Sequence, residues 1–285
     1  MTSLRDYRGL TALVTGASSG IGRLLAARLA REGAHVILVA RRMHELEQIE
    51  EEIRSAGGSA QTVGCDVSDR SAVDGCIRHL RQQSRGIDIL VNNAGYGRHR
   101  PFLTWDVEDM ERMFRVNFLG SLYFTKAVLP MMVERGRGWL VFMASVAGRM
   151  APPDETAYAA SKFAMVGLAE ALSIEVEDLG VHVLTVCPGA IRTPFFDAEA
   201  LERMPPIAKK SMVEPDGLVN AILRALARGQ RELTYPRGIA AGYVSRAIAP
   251  GFTRRQMRRV TLDAVQKHLA QGRKKNAPGS TGEET

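Results

Sequence analysis

The sequence predicts an α/β protein: a doubly wound parallel sheet in a three-layer α/β/α arrangement, forming one domain with a basic helical extension at its C-terminus. Three observations carry this reading. Short runs rich in Val, Ile and Leu alternate with amphipathic stretches of helical period. A glycine-rich turn, Thr15-Gly16-Ala17-Ser18-Ser19-Gly20-Ile21-Gly22, joins the first apolar run to the first helix. Polar motifs stand after the later runs, and right-handed crossovers bring all strand C-termini to one edge.

The elements follow in order. Residues 10–14 form an apolar run halted at Thr15-Gly16, which reads as a buried strand. Leu24, Leu25 and Leu29 recur at helical spacing, and Gly33 suits the C-cap region. Residues 35–39 are a second strand, and 45–53 begin a charged helix ended by Gly57-Gly58. Residues 61–63 give a weaker third strand, 73–80 a helix, and 87–91 a strand running into Asn92-Asn93-Ala94-Gly95. A helix over about 108–133, a strand at 139–143, a helix over 158–176 and a strand at 181–186 continue the alternation. The last strand ends at Cys187-Pro188-Gly189, and a helix over 218–227 and a strand at 233–235 follow. The expected domain spans 1–240, with a lid at about 195–212, and 241–285 form the extension with a disordered tail.

Composition sets the class. With 45% hydrophobic and 24% charged residues among 285, a packed globular domain is expected. No run approaches the ~18 apolar residues of a membrane span. Arg5, Asp6 and Arg8 interrupt the N-terminus where a signal core would lie, so a cytoplasmic location is expected. Cys65, Cys76 and Cys187 are odd in number and scattered, which speaks against a disulfide framework, and no His or Cys spacing suggests a metal. The net charge of +7 is uneven: from Arg224 onward 13 basic residues face 4 acidic ones, so the excess lies in the C-terminal segment. It forms no aromatic-interleaved basic face, and nucleic acid is not an expected partner.

The turn after the first strand points to a dinucleotide. Gly16 and Gly20 permit tight turning, while Ser18, Ser19 and Ile21 lead into a helix N-terminus whose free N–H groups suit a pyrophosphate. An NAD site usually carries a carboxylate after the second strand to hold the ribose hydroxyls. Here Ala40 stands at that place, followed by Arg41 and Arg42. A guanidinium fits a 2′-phosphate, so NADP(H) is preferred and NAD(H) disfavoured, with Arg41 as the expected contact.

Tyr158 and Lys162, at i and i+4, share one helical face. An ammonium about 5 Å from the phenol would favour the phenolate by roughly 3 kcal/mol, so a depressed Tyr158 pKa is expected. Such a phenol can give a proton to a carbonyl or take one from an alcohol.

These motifs together resemble the short-chain dehydrogenase/reductase family, of the single-domain type, over about residues 9–195. The matching elements are the glycine turn, Cys65-Asp66-Val67, Asn92-Asn93-Ala94-Gly95, Asn117, Ser145, Tyr158 with Lys162, and Pro188-Gly189 with Thr193. The resemblance implies a Rossmann-like fold and an enzyme moving hydride between NADP(H) and a carbonyl or secondary alcohol. It implies that Asp66 and Val67 hold the adenine and that Asn93, Ala94 and Gly95 pack along the cofactor. It further implies that Pro188, Gly189, Ile191 and Thr193 meet the nicotinamide, and that Ser145 bonds the substrate oxygen. Asn117 would anchor a water relaying protons from Lys162. Phe142 and the Met143-Ala144 pair depart from the family's usual residues without removing a reacting group. A non-catalytic NADP(H)-binding regulator of the same fold is the alternative.

His99, Met150 and Phe195, with Ser145 and Tyr158, are the expected substrate contacts, a mostly apolar set that suits a hydrophobic carbonyl compound. The family also implies a homodimer or homotetramer through the 108–133 and 158–176 helices. From Phe252, Met257, Val260, Ala264 and Leu269 fall at helical intervals against arginines, a basic amphipathic helix for which peripheral membrane contact is one expected role.

Overall fold

A computed structural model describes residues 3–83, 86–195, 201, 204 and 206–259 of the chain. Seven strands form one sheet: β1 (Thr11–Thr15), β2 (His35–Ala40), β3 (Ser59–Gly64), β4 (Ile89–Asn92), β5 (Gly138–Met143), β6 (Val181–Pro188) and β7 (Glu232–Tyr235). Their order is β3-β2-β1-β4-β5-β6-β7, and every pairing is parallel. The fold is Rossmann-like, as expected. The chain runs outward from β1 to β3, returns to β4, and proceeds to the other edge. The reversal between β1 and β4 opens a crevice at their C-terminal ends, where such sheets bind ligands.

The helices are α1 (Gly20–Arg31), α2 (Met43–Ser55), α3 (Arg70–Gln82), α4 (Val107–Phe114), α5 (Gly120–Glu134), α6 (Thr156–Glu175), α7 (Pro206–Lys210), α8 (Pro215–Ala227) and α9 (Ala240–Ile248). Strand residues alternate between two cores because side chains alternate across a pleat. Val36 and Leu38 of β2 pack with Leu25, Leu29, Leu46 and Ile222 on one face. Ile37 and Val39 pack with Phe124, Val128 and Met165 on the other. Helix boundaries have local causes: Asp69 caps α3 by accepting from Ser71 and Ala72 N–H, and Gly33, at φ +102°, turns the chain out of α1.

One departure from the sequence reading concerns a helix. The helix expected over 108–133 is interrupted by a π-helical turn, Arg115–Leu119, with Asn117 buried inside it. The whole Val107–Glu134 stretch is long and apolar enough to cross a membrane. Here it serves as a core helix, burying Met113, Phe124, Val128 and Met132. α9 lies at the start of the basic helical extension expected over 241–285. It packs against the loop after β5: a Cβ on Gly242 would lie 3.3 Å from the Met150 methyl, and the Arg246 guanidinium stands 5.4 Å from the Phe163 ring. Residues 250–259 are helical, while Val260, Ala264, Leu269 and the expected tail lie outside the described residues.

Candidate active site

The C-terminal edge of the sheet gathers all the motifs. After β1, Gly16 adopts φ +66° and Gly20 φ +56°, conformations that favour glycine. A Cβ at Gly16 would meet the Ala94 Cα at 2.8 Å, and one at Gly22 would overlap the Asn93 side chain and the Gly16 carbonyl. Closely nested backbone thus forms the floor of the crevice. Ser19 caps α1 in an extended conformation without a side-chain bond to the helix, leaving the first N–H groups directed at the crevice. Such a terminus is an anion site.

Arg42, not Arg41, lies over this turn. Its Nη2 donates to Ser18 Oγ at 3.0 Å and to Ser19 Oγ at 3.4 Å, and Nη1 pairs with Glu45 at 3.2 Å. Arg41 is largely exposed and stands 3.7 Å from the Asp66 carboxylate. Burial alone would raise the Asp66 pKa; hydrogen bonds from Ser68, with Arg41, outweigh it and hold the carboxyl below its ordinary value. Two guanidinium groups therefore border the crevice at the end of β2. Glycine cradle, open helix end and paired arginines fit an anionic dinucleotide.

Other nucleotide-side residues divide into those facing the crevice and those building it. Asn93 turns inward: its Nδ2 donates to the Thr15 carbonyl at 2.9 Å and to that of Gly16 at 3.3 Å. Thr15 Oγ1 accepts from the N–H groups of Asn93 and Ala94, both at 3.0 Å. The Asn93 amide thus straps β4 to the glycine turn at the floor of the crevice. The Val67 side chain is buried against Gly120, so only its backbone can face an adenine. Gly189 donates to the Tyr235 carbonyl at 2.8 Å after Pro188, the last residue of β6. Ile191 is buried and bridges to Val213, and a Cβ at Gly20 would lie 3.5 Å from Thr193. Thr193 thus closes the crevice opposite the turn.

Ser145, Tyr158 and Lys162 stand across from it. Ser145, at the end of β5, is extended, and its Oγ accepts the Ala147 N–H at 3.1 Å. Tyr158 and Lys162 lie on the first turns of α6. Lys162 is buried, donates to the Met143 carbonyl at 2.7 Å, and sits 5.7 Å from the Tyr158 ring centroid. Burial draws its pKa down to about 8. The expected depression of the phenol does not occur. Burial pushes the Tyr158 pKa well above the usual tyrosine range, a hydrogen bond with Ser145 opposes this only in part, and the Glu155 charge adds to it. The ammonium meets a main-chain carbonyl and an aromatic face rather than the hydroxyl, so the simple two-charge argument overstated its pull.

The Asn117 side chain binds the backbone of a neighbouring loop. Its Oδ1 accepts the Tyr96 N–H and its Nδ2 donates to the Tyr96 carbonyl, both at 2.9 Å, with a further bond of 3.2 Å to Ser161. The side chain is committed to clamping the loop after Gly95, whose Cβ would lie 3.1 Å from Asn117 and 3.6 Å from Lys162 Nζ.

Around the reacting face, Phe195 stands edge-on to Tyr158 with centroids 5.8 Å apart. A Cβ on Gly97 would meet Phe195 at 2.9 Å, so glycine there lets the two rings meet. His99 Nδ1 lies 3.2 Å from the Glu155 carboxyl, and burial raises the Glu155 pKa to about 7. Met150 lies under α9. Sequence reasoning missed Arg42 as a crevice residue and Glu155 altogether; a glutamate three residues before the tyrosine has no signal of its own. The expected lid, 195–212, falls partly outside the described residues; Arg192 and Glu214, at its flanks, pair at 2.7 Å.

A parallel sheet reversing at a glycine cradle, with serine, tyrosine and lysine across from it, is matched by known proteins. The sequence profile of the family described as short chain dehydrogenase matches residues 10–203. The chain belongs to the short-chain dehydrogenase/reductase family. Among its relatives, the oxidoreductase UcpA of Salmonella typhimurium (strain LT2) is 42% identical over 198 residues, 69% of this chain and 75% of that protein. The 3-ketodihydrosphingosine reductase of Bos taurus is 36% identical over 230 residues, 78% of this chain and 69% of that protein. A crystal structure of a gluconate 5-dehydrogenase from Burkholderia cenocepacia J2315, in complex with NADP and tartrate, superposes with a TM-score of 0.73. It is 27% identical, and the match covers 83% of this chain and 97% of that one. As a short-chain dehydrogenase/reductase, the protein is an oxidoreductase of a family that uses nicotinamide cofactors.

Proposed function

We propose that the protein is an NADP(H)-dependent carbonyl reductase whose acid is Tyr158 and whose substrate is apolar. The observation that carries this is the placement of Ser145, Tyr158 and Lys162 opposite a crevice bordered by Arg41 and Arg42. The bound dinucleotide supplies or accepts the hydride. Arg42, Arg41 and the α1 N-terminus hold its phosphates, and Thr193 closes over it from the other side. Ser145 donates a hydrogen bond to the substrate oxygen and stabilises charge as it develops there. Tyr158 gives that oxygen its proton, so that hydride and proton together convert C=O to CH–OH. Burial keeps the phenol protonated, so that it has a proton to donate to the substrate oxygen. Lys162, poised near neutrality, restores the proton.

Phe195 beside Tyr158, and Met150 beneath α9, give the substrate side an apolar lining. The reductase named for 3-ketodihydrosphingosine, at 36% identity, supports a keto substrate. Assembly into a homodimer or homotetramer through Val107–Glu134 and Thr156–Glu175 belongs to the same reading, supported by exposed Val107 and Ile174 on those helices. The test is NADPH oxidation against apolar ketones, aldehydes and sugar acids, with Tyr158→Phe as control. Turnover of an apolar ketone that falls roughly 100-fold or more in the variant is expected. Turnover unchanged by Tyr158→Phe refutes the mechanism, and NADPH binding without turnover of any carbonyl favours the regulator.

A further inference from the structure

Residues 240–259 carry five arginines and no acidic residue. Within this segment Val244, Ile248 and Phe252, four residues apart, are 57%, 79% and 58% exposed. Solvent exposure of three large apolar side chains this close together is unusual unless something covers them. Arg254, Arg255, Arg258 and Arg259 are exposed beside them. Arg246 points the other way: its guanidinium stacks on Phe163 and donates to the Arg149 carbonyl. Arg246 thus mounts α9 on the domain and leaves Val244 and Ile248 facing outward. The helical stretch 250–259 is joined to α9 by hydrogen bonds from Thr253 N–H to the Ala249 carbonyl and between the Ser245 and Thr253 hydroxyls.

We propose that α9 and residues 250–259 form a docking face for an anionic lipid surface, with Val244, Ile248 and Phe252 entering the interface and the arginines pairing with phosphate headgroups. Charge decides the occupant. A second copy docking face to face would set arginines against arginines. The remaining segment, 260–285, holds four Lys/Arg and three Asp/Glu residues and offers no acidic complement. A polyanion alone would match the arginines and leave the apolar side chains unused. A lipid surface satisfies both, since apolar side chains enter the acyl boundary while guanidinium groups stay at headgroup level. The face differs from the amphipathic stripe the sequence suggested, which began at Phe252 and ran through Met257 to Leu269. Because Gly242 packs on Met150, docking would also set the apolar side of the crevice close to the membrane, a suitable place for a lipid-soluble carbonyl.

The test is independent of the reaction. Full-length protein is sedimented with phosphatidylcholine vesicles and with vesicles that also contain phosphatidylglycerol, in low and high salt. Pelleting with the anionic vesicles alone, weakened by salt, is expected. Each arginine at an anionic surface is worth roughly fivefold in partition, so Arg254→Glu with Arg255→Glu lowers binding at least about tenfold. Ile248→Asp with Phe252→Asp lowers it by a similar factor, about tenfold or more. Both pairs are exposed, and unchanged thermal unfolding shows that each variant folds. No pelleting of the wild type, or pelleting untouched by the apolar pair, overturns the proposal. So does tight binding to duplex DNA without vesicle binding.

Discussion

The Arg42 guanidinium lies 3.0 Å from the Ser18 hydroxyl, bridging the end of β2 to the glycine turn after β1. On the proposed reading, this cation over the α1 N-terminus reads the 2′-phosphate of NADP(H). Arg41 adds a second charge from the side of Asp66. The prediction is that Arg42→Ala raises the KM for NADPH about tenfold or more, as expected for losing a hydrogen bond to a charged group, and barely moves that for NADH. Initial rates with both cofactors decide it. A parallel rise for both would show that Arg42 supports the turn without reading the phosphate.

The centre of the sheet was legible because its buried strands, such as β2, β4 and β6, are rich in Val, Ile and Leu, whereas the edge strands β3 and β7 are not. Strand ends then located the glycine turn, Ser145 and Pro188 on one edge. What stayed hidden depends on tertiary placement. Arg41 and Arg42 are equivalent as letters, and only the start of α2 decides which one reaches Ser18. Asn93 and Asn117 are polar residues at motif positions, yet both side chains turn inward to bind backbone. The π turn at Asn117 is a change of hydrogen-bond register that composition does not record.

Asn117 holds both backbone groups of Tyr96 within a buried π turn. Removing the amide leaves that N–H and carbonyl without it, at a cost of about 2–3 kcal/mol. Asn117→Ala should lower Tm by roughly 5–10 °C, with KM for the carbonyl rising as the Tyr96–Gly97 loop loosens. If kcat falls while Tm holds, Asn117 serves proton transfer rather than the loop.

Lys162 is a buried cation whose pKa falls to about 8. The folded state then binds fewer protons than the unfolded one between about 8 and the ordinary lysine value of 10.5. Stability therefore rises with pH across that window, and below it the charge costs about 3 kcal/mol. Lys162→Met should raise the Tm of the cofactor-free protein at neutral pH and reduce turnover at least about 100-fold. A lowered Tm would mean that the bond to the Met143 carbonyl outweighs the cost of burying the charge.

Glu155 supplies the opposite slope. Its carboxyl, 3.2 Å from His99 Nδ1 and beside Asp154, is raised by burial from 4.5 to about 7. The folded state therefore holds a proton that the unfolded chain has lost, between about 4.5 and 7. Stability falls as pH rises through that window, by about 3 kcal/mol in all, and levels off above it. Glu155→Gln should flatten the Tm profile between those limits while leaving the lysine-dependent rise at alkaline pH. The same carboxylate, three residues before Tyr158, raises the phenol pKa. Its removal should shift the alkaline limb of kcat/KM to lower pH. An unchanged Tm profile in Glu155→Gln would show that the pairing with His99 keeps the glutamate charged beside Tyr158.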